Sequence, residues 1–212
     1  MTSAKQRLAL HEAALRAAER RLAWRDPVLR PLVKLHGPCA LRPHARHFET
    51  LVGAIVSQQL STKAAATILA RFKALYAPAR FPSASQILAT PDAGLRGVGL
   101  SGAKAAYIKD LAARTTDGRL RLARLARMSD AEVTEMLVEV QGIGVWTAQM
   151  FLIFSLGRLD VLPVGDLGVR RGIERAYGLA ALPTAAEIER IATERGWRPY
   201  CSVAAWYMWR SL

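Results

Sequence analysis

Two cysteines in 212 residues, Cys39 and Cys201, are too few for a disulfide framework, a four-cysteine zinc site or an iron–sulfur cluster. Histidine is scarce too. His11, His36, His44 and His47 show no metal-ligand spacing, and His44 and His47 read as surface or capping residues. No run of eighteen apolar residues occurs, which excludes an ordinary transmembrane helix. The N-terminal Met1-Thr2-Ser3-Ala4-Lys5-Gln6-Arg7 leads into no apolar signal core. An amphipathic, arginine-rich segment with Glu12 and Glu19 follows instead, and the expected location is the cytoplasm. Acidic residues are in deficit, 17 against 30 Lys plus Arg. Alternating apolar–polar runs are also missing, so strands are not expected and the fold class is all-α.

What is present fits a globular protein. About half the residues are hydrophobic, and the length can bury one core or two small, closely joined ones. A net charge of +13 and a pI near 10.7 match the footprint of a phosphate-backbone binder. Arg outnumbers Lys by 24 to 6, as in an arginine-rich proteome, so charge alone favours nucleic acid only modestly.

Helical stripes recur along the chain: Phe48, Leu51, Val52, Ile55 and Val56; Ile68, Phe72, Leu75 and Tyr76; Tyr107, Ile108 and Leu111; Val133, Met136, Leu137 and Val140; Val203, Trp206, Tyr207 and Arg210. Ser83 with Gln86, Ser129 with Glu132, and Thr184 with Glu187 match the capping box, in which two side chains satisfy orphan N–H groups. Breaks fall at Pro78-Ala79-Arg80-Phe81-Pro82, Thr90-Pro91-Asp92, Thr116-Asp117-Gly118 and Leu182-Pro183.

The chemistry concentrates in Val138-Glu139-Val140-Gln141-Gly142-Ile143-Gly144-Val145-Trp146-Thr147-Ala148, with Asp166 twenty-two residues after Gly144. The first part reads as a helix, a Gly-x-Gly hairpin and a second helix, whose outward N–H groups can bind a phosphate oxygen. Gly97-Val98-Gly99-Leu100-Ser101-Gly102-Ala103 repeats the pattern, and each glycine pair is expected to supply a tight turn with φ > 0. Asp166 has two compatible readings. It can cap the helix beginning at Leu167, and it can be a catalytic carboxylate favoured by that helix's positive end. Trp146 sits in the first turn after the hairpin, where burial is least expected and stacking on a base is possible. Ser57-Gln58-Gln59-Leu60-Ser61 ends one helix and starts another, with Ser61 a cap. It is either a plain connector or a loop whose Gln59 or Leu60 enters a duplex.

Assembled in this order, the motifs resemble the helix-hairpin-helix DNA glycosylase superfamily, and within it the bacterial 3-methyladenine DNA glycosylase II family in a short form without an N-terminal β-domain. The likeness rests on Ser57-Gln58-Gln59-Leu60-Ser61, Gly97-Val98-Gly99, the stretch from Gly142 to Ala148, and Leu162-Pro163-Val164-Gly165-Asp166-Leu167-Gly168-Val169. It implies a glycosylase fold of two helical subdomains, one from residues 1–40 and 159–212, the other from 41–158. It implies Asp166 as the catalytic carboxylate, Trp146, Met150 and Trp209 as base-pocket walls, and Gln59 or Leu60 as the wedge. Phosphate contacts fall to Gly142, Gly144, Thr147, Gly97, Gly99 and Lys104. The carbonyls of Val138, Val140 and Ile143 resemble those that hold a monovalent cation, Na+ or K+, in the superfamily; no catalytic cofactor and no iron–sulfur cluster are implied.

The implied activity is monofunctional hydrolytic removal of alkylated bases of the 3-methyladenine and 7-methylguanine type, after flipping them from damaged double-stranded DNA. The implied enzyme is a monomer without membrane contact. Trp146 stands where the bifunctional branch of the superfamily carries a lysine nucleophile, so no lyase step is expected. Met150 stands where some members carry tyrosine and makes a softer stacking wall. A non-catalytic module that recognises DNA structure would need the hairpins and the charge, but neither Asp166 nor an exposed Trp146.

Overall fold

The computed structural model describes residues 4–212. Among these residues twelve α-helices and one 3₁₀ helix form and no strand does, as the missing alternation implied. None of the helices is long and apolar enough to cross a membrane. Two compact units are present: the described residues through His44 with Leu152–Leu212, and Ala45–Phe151. The divisions fall at 44/45 and 151/152, where the sequence placed them at 40/41 and 158/159. The later one lies inside an unbroken apolar helix, so no turn residue marks it.

The first unit joins both ends of the chain: α1 (Ala4–Arg25), α2 (Leu29–His36), α10 (Leu167–Tyr177), α11 (Ala185–Glu194) and α12 (Cys201–Arg210). α12 packs on α10, α2 and α1. At the α10–α12 crossing a Cβ on Gly172 would lie 2.8 Å from the Met208 carbonyl carbon, so only glycine lets the backbones meet. Leu15, Leu22, Leu29, Ile173 and Val203 fill the interior.

Polar groups are buried with them, Asp26 completely. The Asp26 carboxylate accepts the Trp197 indole N–H at 2.8 Å, the Val28 N–H at 2.9 Å and the Tyr177 hydroxyl. Burial, reinforced by Asp26, pushes the Tyr177 phenol well above its ordinary value and keeps it a donor. Cys39 and Cys201 are free, buried thiols, and burial raises both, Cys39 to about 11.

The second unit contains α3 (His47–Ser57), α4 (Thr62–Ala74), α5 (Ala84–Ala89), α6 (Asp92–Gly97), α7 (Gly102–Thr116), a 3₁₀ helix over Leu122–Arg127, α8 (Asp130–Val138) and the beginning of α9 (Val145–Phe154). α7 packs on α3, α5 and α6. All three capping boxes form as read from sequence, and Ser61 and Ser101 cap α4 and α7. Each such cap contributes about 1 kcal/mol. His47 does not cap; it opens α3 and sets its ring edge-on against Phe151 at 5.5 Å.

Asp26→Ala would leave the Trp197 indole and the Tyr177 hydroxyl without their buried acceptor. Urea denaturation should show a loss of about 3 kcal/mol. An unchanged midpoint would mean that the carboxylate is not what holds the two chain ends together.

Candidate active site and nucleic-acid interface

In the first unit Asp166 stands at the N-terminus of α10, 7 % exposed. Its Oδ1 accepts the Val169 N–H at 2.8 Å, the bond of an N-cap, and also the Trp209 indole N–H at 2.7 Å. Charge-assisted bonds of this kind are strong and fix orientation. Gly168 makes the second one possible, because a Cβ there would come within 2.8 Å of the Trp209 ring and 3.1 Å of Oδ1. Trp209 in turn packs against Phe154 with ring centroids 5.4 Å apart. A carboxylate held this way is an oriented negative charge beside aromatic surface, suited to stabilising a cation.

α9 carries Trp146, Met150 and Phe154 four residues apart, on one helix face. The helix is apolar apart from Thr147 and Gln149, and Ala148, Phe151, Leu152 and Ile153 are buried. Trp146 is nevertheless 50 % exposed and Phe154 42 %. Large aromatics left in solvent on a core helix mark a contact surface.

The two hairpins lie in the second unit. In the first, the Ile143 N–H donates to the Val140 carbonyl at 3.0 Å and Gly142 takes φ +79°. The Tyr107 ring fills the space that a Gly142 Cβ would need, its Cγ only 2.7 Å away. The Gly144 carbonyl accepts the Ala148 N–H at 3.0 Å, and the amides of Val145, Trp146 and Thr147 form the first turn of α9. In the other hairpin Gly99 takes φ +103° with Ile68 against it.

Each pair supplies its φ > 0 turn through one glycine, Gly142 in the first hairpin and Gly99 in the other. Gly97 and Gly144 have ordinary backbone, and a Cβ on either meets nothing. Thr147 is buried, so what it can offer a phosphate is its backbone N–H. Lys104, expected at a phosphate, turns its ammonium onto the carbonyls of Val56 and Gln58, each at 2.7 Å. Those oxygens lie at the C-terminal end of α3, where no helical amide reaches them, and they outcompete solvent for the cation. Val140's carbonyl closes the hairpin turn, so a cation there would use its second lone pair; Val138 stands at the end of α8 and Ile143 between the glycines.

Ser57-Gln58-Gln59-Leu60 is a tight turn closed by the Leu60 N–H donating to the Ser57 carbonyl at 3.2 Å. Gln58 has φ −53°, ψ 131°, and Gln59 has φ +57°. That is a type II turn, whose third position favours glycine or asparagine. Gln59 is the only non-glycine with positive φ among the described residues, and the strain costs about 1–2 kcal/mol. Gln59 and Leu60 are exposed and Gln58 is half-buried.

Sequence reasoning missed the Trp209 bond to Asp166, the need for Gly168, and the Gln58 amide, which donates to the Gly142 carbonyl at 2.7 Å. Phe154 could have been found, since it continues the four-residue spacing of Trp146 and Met150. A cavity of about 580 Å³ lined by Arg119, Arg121, Arg124, Arg127, Met128 and Met136 contains none of the predicted site residues.

An all-helical chain with paired Gly-x-Gly hairpins and an N-cap aspartate is of the helix-hairpin-helix class. Residues 52–199 match the family described as HhH-GPD superfamily base excision DNA repair protein, and the chain belongs to that family. It is 35% identical over 202 residues to DNA-3-methyladenine glycosylase 1 of Schizosaccharomyces pombe, covering 93% of this chain and 88% of that protein. It is 33% identical over 197 residues to the alkylbase DNA glycosidase-like protein mag2 of the same yeast, covering 91% and 92%. Among solved structures it resembles S. pombe 3-methyladenine DNA glycosylase Mag1 in complex with abasic DNA, with TM-score 0.80, 34% identity, and 92% and 95% of the two chains covered. DNA-3-methyladenine glycosidase from Bacillus halodurans also gives TM-score 0.80 at 34% identity, covering 91% and 88%.

The two glycines of the main hairpin should behave differently. Gly142→Ala must displace Tyr107 and strain the turn, and should weaken binding to damaged and undamaged duplex alike, because phosphate contacts carry no base information. Gly144→Ala should bind nearly as the wild type does. Equal losses in a fluorescence-anisotropy titration would show that Gly144 serves close backbone approach to DNA instead. Gly168→Ala should separate Trp209 from Asp166 and lower turnover while leaving binding to undamaged DNA intact.

Proposed function

We propose that the protein is a monofunctional DNA glycosylase that flips alkylated bases of the 3-methyladenine and 7-methylguanine type out of damaged double-stranded DNA and removes them hydrolytically. The observation that carries this reading is the buried Asp166 carboxylate, oriented by Val169 and by Trp209. An N3- or N7-alkylated purine is already cationic. When its C1′–N bond breaks, the electron pair returns to the base, which leaves neutral, and the sugar becomes oxocarbenium-like. Asp166 stabilises that positive charge, and water then attacks C1′ and gives up a proton, leaving an abasic site. No general acid is needed for so good a leaving group.

Recognition follows from the same chemistry. Electron-rich Trp146 attracts a cationic base by cation–π contact, and Met150 and Trp209 are the further base-pocket walls that the family resemblance implies. The hairpin amides grip phosphate, and Gln59, backed by Leu60, fills the gap left by the extruded nucleotide. A monovalent cation held by the carbonyls of Val138, Val140 and Ile143 would bridge the hairpin to a phosphate oxygen. Trp146 offers no amine, so the enzyme forms no Schiff base, and it acts as a cytoplasmic monomer.

Asp166→Asn keeps the shape and the cap but removes the charge. Release of free 3-methyladenine from methylated duplex should fall by about a hundredfold or more, with lesion binding retained. Turnover near the wild-type rate would reduce Asp166 to a helix cap. Borohydride should trap no covalent complex with the wild-type enzyme.

A further inference from the structure

The Lys104 ammonium is committed to two carbonyls, Val56 and Gln58, which bracket the beginning of the Gln59 turn. Burial pulls it below the ordinary lysine range, consistent with a group withdrawn from solvent. Tyr107, three residues later and on the same side of α7, lies against Gly142. Gln58 closes the figure, its Nε2 donating to the Gly142 carbonyl at 2.7 Å. The Gln59 turn, α7 and the Gly142 hairpin therefore form a triangle within the second unit, each side a direct contact. At one corner sits Gln59 at φ +57°, a backbone state that persists in a non-glycine only where its surroundings over-determine it.

We propose that Lys104 is a positioning residue: with Gln58 it holds the strained wedge turn in fixed register with the Gly142 hairpin, so that gripping phosphate and filling the vacated stack are the action of one rigid device. The inference rests on the glycosylase reading given above. Without the clamp the turn relaxes away from φ > 0 at Gln59, and the wedge is displaced relative to the phosphate grip. Misplacements of this size are costly when a reacting geometry must be held.

Lys104→Met keeps the length of the stem and removes both hydrogen bonds. In the free protein, exchange of the Leu60 amide, whose bond to Ser57 closes the turn, should accelerate. Single-turnover excision from an intact duplex should slow by about tenfold or more. Excision of the same lesion placed opposite an abasic gap, where stacking is already broken, should change little, as should affinity for undamaged duplex and its salt dependence. Gln58→Leu should reproduce the pattern without touching the buried amine, and the double variant should be no worse than the more impaired single one.

Weaker binding to undamaged DNA with a salt slope shallower by about one would make Lys104 a phosphate ligand and overturn the proposal. Equal slowing on both substrates would overturn it too, leaving only general support of the fold. Should the wild-type protein release no base at all, the glycosylase reading fails separately. Leu60 exchange then still decides whether Lys104 holds the turn, and unchanged exchange overturns that as well.

Discussion

Every α-helix leaves four amide N–H groups at one end and four carbonyls at the other without partners, and a chain of short helices multiplies those ends. Several here run fewer than ten residues, such as α2, α5, α6 and α8, so a large share of the backbone must find partners outside its own helix. Serine and threonine caps satisfy α4, α5, α7, α8 and α11. Lys104 satisfies the end of α3. α9 follows Gly144, which has no side chain to cap with, so its first amides suit an external anion. The same physical demand thus supports the fold at some helix ends and, in the function proposed, serves a ligand at another.

Asp166 shows how one residue serves both purposes. As a cap it contributes about 1 kcal/mol, a modest share of the stability of a domain. In the role proposed for it, as a charge facing a developing oxocarbenium ion, it would be worth about a hundredfold or more in rate. In that role the cap is what would make the charge useful, because a carboxylate tied to Val169 and Trp209 would not have to reorganise as the sugar became positive. Gly168 and Gly172 belong to the same design. The first clears space for Trp209, and the second lets α12, which carries Trp209, lie directly on α10.

In the second unit the strongly basic chain is used selectively. Its net charge of +13 supplies long-range attraction to a polyanion, but Lys104, in the first turn of α7 after the Gly97–Gly99 hairpin, is spent on carbonyls. In the function proposed, local grip falls to backbone amides, whose directions are set by Gly142 at φ +79° and Gly99 at φ +103°. Amides held by a turn have little conformational freedom to lose on binding, whereas a surface arginine has much.

The sequence by itself determined the helical class, the caps, the hairpin with the exposed tryptophan after it, and the N-cap aspartate. All of these are local: 3.6-residue periodicity, three-residue capping spacing and glycine turns act between near neighbours. The sequence left open which of Gln59 and Leu60 is the wedge, and it gave no sign of the positive φ at Gln59. It assigned a φ > 0 turn to each glycine pair without fixing which glycine takes it, and it placed Lys104 at a phosphate. Only the tertiary structure decided that Trp209 bonds Asp166 across 43 residues, that Gln58 reaches Gly142 across 84, and that Lys104 closes α3 from α7. Such contacts join groups with no periodic relation in the chain. Whether a lysine meets a phosphate or a carbonyl depends on which helix end packing has left open beside it.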